Sequence, residues 1–147
     1  MMNRRALSFL LVMTPLIGIA SLAQADTIAP TAAQTAGLRP AAMAWLAKLD
    51  TGDHNGTWGT AAAPFKSALT AQQWQQALKG ARSPLGAVVQ RQDKATTYAR
   101  SLPGAPDGQY AVMQFDTEFA NKTKAVETVT TVLEADGVWR VAGYFIR

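Results

Sequence analysis

The chain predicts an α+β domain: three N-terminal helices packed on a curved, four-stranded antiparallel meander. Three observations carry this. The apolar period changes from 3.6 to 2 residues after Gly86. The segments beyond that point are separated by Pro, Gly, Asn and Asp clusters. Two hairpin registers, each chosen from its own turn, place one apolar set on one face.

The first 25 residues stand apart. Arg4 and Arg5 precede an apolar run, Ala6 to Ala23, that ends in Ala23-Gln24-Ala25. This is the pattern of a secretory signal peptide cleaved after Ala25. Pro15 and Gly18 interrupt the run, which is shorter than the ~20 apolar residues of a spanning helix. The expected product is exported to the periplasm with no membrane anchor. Losing Arg4 and Arg5 lowers the net charge from +4 to +2, with both signs interspersed. That is no footprint for nucleic acid. The chain has no cysteine, so its stability must come from a core rather than from disulfides.

Residues 26–37, rich in Ala and Thr, are expected as a flexible leader, and 38–147 as a single domain. Pro40 suits the first turn of a helix, and Met43, Leu46 and Leu49 recur at helical spacing beside Trp45. Asp50-Thr51-Gly52-Asp53 breaks that helix. A second starts near Asn55, carries Trp58 and is ended or kinked by Pro64. Thr70-x-x-Gln73 is a capping box that opens a third, striped by Trp74, Ala77, Leu78 and Ala81. Strands are expected near 87–101, 109–119, 124–134 and 138–146. If Asn121-Lys122 and Asp136-Gly137 are two-residue turns, Phe115 faces Thr128 and Val132 faces Val141. The inner face then holds Ala111, Met113, Phe115, Thr117 and Phe119, with Val126 to Val132 alternating, and Trp139, Val141, Gly143 and Phe145.

Several stretches resemble a bacterial family of exported proteins, domain-of-unknown-function family 4019. They are Ala44-Trp45-Leu46-Ala47-Lys48-Leu49-Asp50 with Gly52-Asp53 and Trp58; Trp74; Arg82-x-Pro84-Leu85-Gly86; Arg91; Leu102-Pro103-Gly104-x-Pro106-Asp107-Gly108-x-Tyr110; Glu127-Thr128-Val129; and Asp136-Gly137-x-Trp139-Arg140-Val141-x-Gly143-Tyr144. The likeness runs from about residue 38 to the C-terminus. One departure is Asp53-His54-Asn55-Gly56, rich in helix breakers where a helix should begin. The resemblance implies a fold like the nuclear-transport-factor-2 and cystatin-like group, with helices packed into a curved sheet. It implies no activity and transfers no catalytic residue.

The same registers put Asp116 directly opposite Glu127 on the outer face, with Glu118 two residues along. Like charges across strands repel, so a shared proton or a bridging cation is required. The polar cluster is therefore Arg91, Asp116, Glu118 and Glu127. It is either an acid/base couple or, more simply, an ion cluster bridged by Arg91, Arg100 or Arg147. Trp45, Trp58, Trp74, Met113, Phe115 and Phe145 are candidate walls of an apolar ligand pocket between helices and sheet; their simpler role is core. His54, the sole histidine, sits in a turn and reads as a surface residue. No metal ligand set, cofactor fingerprint or catalytic motif is present in the sequence. Three functions follow: a non-catalytic domain binding a small ligand or a protein partner; a self-associating module, a homodimer through an outer face carrying Tyr110, Val112, Val129, Leu133 and Tyr144; and an acid/base enzyme using carboxylates in a helix–sheet cavity.

Overall fold

The computed structural model describes residues 30–147; the signal-peptide expectation lies outside the described residues. Among the described residues, five helices precede the sheet: α1 (Ala32–Thr35), α2 (Leu38–Asp50), α3 (His54–Gly59), α4 (Ala63–Ala68) and α5 (Ala71–Ala81), followed by a 3₁₀ turn at Ser83–Leu85. Strands β1 (Val88–Ala99), β2 (Tyr110–Phe119), β3 (Lys122–Leu133) and β4 (Trp139–Ile146) form an antiparallel sheet in the order β1-β2-β3-β4. The α+β class and the open meander are as the sequence predicts.

The helical half is more finely divided than expected. Residues 30–37 include one helical turn with its own capping box, Thr31 and Gln34. The Gln34 carbonyl accepts from Trp139 Nε1 at 2.6 Å, which ties this segment to the sheet. The expected second helix is two. α3 starts at His54 because the Asp53 side chain caps it, accepting from Gly56 N–H at 2.9 Å. Pro64 does not end that helix; it lies in the first turn of α4, where a missing N–H costs nothing. The Thr70/Gln73 capping box opens α5 as read.

Both turns depart from the expected ones. Gly137 N–H donates to Glu134 O at 2.9 Å and Glu134 N–H to Val138 O at 3.0 Å, so the β3–β4 loop has three residues. Gly137 has φ +79°, the left-handed residue that closes such a loop as a bulge. A further bulge at Ala142 reverses the faces of β4, since Thr131 pairs with Val141 but Thr130 with Gly143. The β2–β3 turn is Ala120-Asn121, with Phe119 opposite Lys122. Its amides are taken by neighbours, Ala120 by Ala87 O and Asn121 by Leu85 O. An extra residue in β3 then brings Thr117 opposite Ala125 and Phe115 opposite Glu127.

The net slip in β3 is one residue, and one residue exchanges its faces. Glu127, Val129 and Thr131 therefore point toward the helices, all fully buried, and Val126, Thr128 and Thr130 point away. On β4, Tyr144 packs against the core and Phe145 is 41% exposed on the opposite side. The core joins Leu38, Trp45, Leu46, Leu49, Phe65, Trp74 and Leu78 of the helices to Met113, Phe115, Val129, Trp139 and Val141 of the sheet.

Candidate functional site

The slip in β3 carries Glu127 into the interior, where its carboxylate becomes the hub of a buried ion cluster. It is fully buried. Oε1 accepts from Arg91 Nε of β1 at 2.8 Å and from Thr117 Oγ1 of β2 at 2.7 Å; Oε2 accepts from the Tyr144 hydroxyl of β4. One side chain thus links all four strands. Arg91 in turn grips Asp50, the last residue of α2, by two bonds of 2.7 and 2.9 Å. Arg82, just past α5, donates to Asp50 Oδ1 at 3.1 Å and to Gly86 O at 2.8 Å, and its guanidinium lies 4.4 Å from the Phe119 ring centroid. Two arginines and two carboxylates balance, so the buried charge is paired as burial demands.

The electrostatics follow from this packing. Burial pulls on the Arg91 guanidinium to lose its proton, but its bonds to Asp50 and Glu127 outweigh that and raise its pKa above the ordinary value. Burial, reinforced by the Glu127 charge and the hydrogen bond to it, raises the Tyr144 hydroxyl well above ordinary tyrosine. Charge-assisted bonds of this kind are the strong ones. Within the interior, the carboxylate of Glu127 accepts three bonds, and no donor remains to be found for it.

The predicted polar cluster divides. Arg91 and Glu127 meet. Asp116 does not oppose Glu127: it opposes Val126 on the outer face, more than half exposed, where Lys94 Nζ donates to it at 2.7 Å. Glu118 opposes Gln90 on that same face. Both acids line an open basin of about 360 Å³ with Gln92, Lys124 and Arg147. A second concavity of about 430 Å³ lies between Gln34, Gly37 and Ala41 on one side and Leu133, Val138 and Trp139 on the other.

The candidate aromatic pocket also divides. Trp45, Trp74, Met113 and Phe115 are buried in the core, Trp58 is half-buried against it, and Phe145 lies across the sheet from them. None of the six lines either concavity. The tryptophan N–H groups are committed: Trp45 to Thr57 O at 2.8 Å, Trp74 to Thr57 Oγ1 at 2.9 Å and Trp58 to Leu69 O at 2.7 Å. The rings of Trp45, Trp74 and Tyr144 sit at mutual centroid distances of 5.4 to 6.3 Å, tilted or edge-on. The outer-face dimer set fails for four of its five residues: Tyr110 and Val129 are buried in the single chain, and Leu133 and Tyr144 pack on its core. His54 is half-buried at the start of α3.

Reading residues in isolation missed Asp50, Arg82, Thr117, Tyr144 and Thr57. Asp50, Arg82 and Tyr144 each lay within a stretch that carried the family resemblance, which was the available signal. Thr57 carried none. Among the described residues, no group of three or more His, Asp or Glu is arranged to hold a metal ion. No curated protein and no solved structure matches the chain. The segments that converge on the ion cluster fall inside the matched span of a family model described as protein of unknown function (DUF4019), residues 41–144, and the chain belongs to that family.

Proposed function

We propose that this protein is a non-catalytic accessory domain of the periplasm, exported and cleaved after Ala25, with the cone-like helix–sheet form of the cystatin and nuclear-transport-factor-2 group. In this reading it meets a small ligand or a protein partner at its surface. One observation carries it: Glu127, the interior carboxylate, is already bonded to Arg91, Thr117 and Tyr144. An acid/base residue needs a lone pair or proton within reach of substrate. Here chemistry would first have to dismantle the cluster that joins the four strands. Recognition then falls to the open side of the sheet. Two rows across it, Ala95-Gln114-Thr128-Phe145 and Thr97-Val112-Thr130-Gly143, hold no charge.

The test is a thermal melt of the processed protein against lipids, sterols, aromatic acids, sugars, peptides and metal ions. A ligand at about a hundred times its dissociation constant adds about 2.7 kcal/mol, a shift of several degrees. The reading expects such a shift, and expects Phe145→Ser to abolish it while leaving the unliganded melt in place. A shift that survives Phe145→Ser but vanishes with Glu127→Gln, together with turnover of the compound, would overturn it. Mass spectrometry of the periplasmic fraction should find an N-terminus at Asp26.

A further inference from the structure

The two edges of the sheet are treated differently. At β4 the chain covers its own edge: Ala62 N–H donates to Val141 O at 2.8 Å in the middle of the strand, and Ala63 N–H is held by Glu134 at 2.8 Å. At β1, among the described residues, the backbone groups that face away from β2 have no partner in the chain. β1 is also long, at 12 residues, and contains no proline or glycine.

Free edges usually carry charge, bulges or proline to prevent pairing. β1 has such devices only in its first half. Bulges fall at Val89, which is 62% exposed, and at Lys94. Even there the charges are spent inside the chain: Arg91 on Asp50 and Glu127, Asp93 on Arg39 at 2.9 Å, Lys94 on Asp116 at 2.7 Å. Its second half, Ala95-Thr96-Thr97-Tyr98-Ala99, has no charge and no bulge, and is rich in residues that favour strands.

We propose that β1 pairs antiparallel with β1 of a second copy, joining two four-stranded sheets into one continuous sheet about a two-fold axis. The asymmetry of the edges selects this occupant. β1 against β4 of another copy would be head-to-tail and would propagate into filaments, but Ala62 stands in the way at β4. β1 against β1 closes on itself. Charge sets the place of the axis. Centred on Asp93 or on Lys94, the pairing would put like charges face to face; centred on Thr96, it sets Ala95 against Thr97 and Lys94 against Tyr98 instead.

The absence of native cysteine makes the test clean. The processed protein, purified from the periplasm of an expressing bacterium, is weighed in solution by light scattering over about a hundredfold range of concentration. Single cysteines are placed at Thr96 on β1 and, separately, at Thr128 on the open face. A dimer mass, with oxidative cross-linking at Thr96→Cys and none at Thr128→Cys, is expected, because a disulfide needs Cα atoms within about 7 Å. The double variant Ala95→Lys with Thr97→Lys changes two exposed positions. It should raise the dissociation constant about a hundredfold and leave the monomer's circular dichroism unchanged. A monomer at every concentration overturns the proposal. So does a dimer that cross-links through Thr128→Cys, or one that the lysine variant leaves intact.

Discussion

Asp116 and Glu127 lie on neighbouring strands, one register position from being opposite each other, and have opposite fates. Asp116 looks into solvent and shares a single bond with Lys94, both side chains well exposed. Glu127 faces the helices, fully buried, with donors from three other strands. The two carboxylates differ in environment far more than in chemistry. In a strand of period two, which of them matters is decided by a single residue of bulge near Thr123 and Lys124. The difference teaches that the energetic weight of a charge follows from which face the pleat presents, and that its partners follow from that.

The largest expected effect comes from breaking the interior side. Glu127→Ala leaves the Arg91 guanidinium buried beside a void, and should cost about 3–5 kcal/mol by denaturant titration. Arg91→Ala should cost a similar amount from the other direction. Replacing both, as Glu127→Leu with Arg91→Met, should restore much of either loss, because a paired buried charge contributes little net stability over apolar groups of like volume. A double variant no better than the sum of the singles would mean that Asp50 needs Arg91 as much as Glu127 does.

Next comes Tyr144→Phe, which removes one bond to a charged acceptor, about 1.5–3 kcal/mol. It should also change the alkaline limb. The folded tyrosine holds its proton above the ordinary value, whereas the unfolded one releases it near pH 10. Above that pH the folded state binds more protons than the unfolded. Stability is therefore complete below about pH 10 and falls beyond it by up to about 1.4 kcal/mol per pH unit. Tyr144→Phe should lack this contribution. Denaturation midpoints taken at intervals through about pH 9 to 11 would show it.

The smallest effect is expected at the outer carboxylate. Asp116→Asn removes an exposed pair worth about 0.2–1 kcal/mol, and even that should fade in high salt. If Asp116→Asn proved as costly as Glu127→Ala, the contrast between the two faces would be wrong.

Much of the fold was legible in local chemistry. Thr70-x-x-Gln73 announces α5 because both capping bonds are made within four residues. Asp136-Gly137 announces a hairpin because glycine at φ +79° can close it. The order of the strands follows from the turns. What escaped is what distant parts decide. The Ala120-Asn121 turn sits where it does because Ala87 and Leu85, 33 and 36 residues earlier in the chain, hold its amides. The bulge at Ala142 has no mark in Val141-Ala142-Gly143 beyond a glycine. Together these placed Glu127 and Tyr144 on the wrong face and Phe145 on the inner one. Pro64 misled for a local reason, since the same ring that ends one helix suits the start of the next.

The hub at Glu127 has a consequence for rates. Its donors stand 36, 10 and 17 residues away, and Arg91 meets Asp50 across 41. We take the two longest of these, across 36 and 41 residues, to form after the folding transition state, because the closure entropy of such loops has to be met before their contacts stabilise anything. Interactions absent from the folding transition state leave the folding rate alone and hold back unfolding. Glu127→Ala should therefore refold at nearly the native speed and unfold many times faster. For a chain without cysteine, and so without disulfides, this buried carboxylate acts as a clock, setting how long the folded chain lasts between openings.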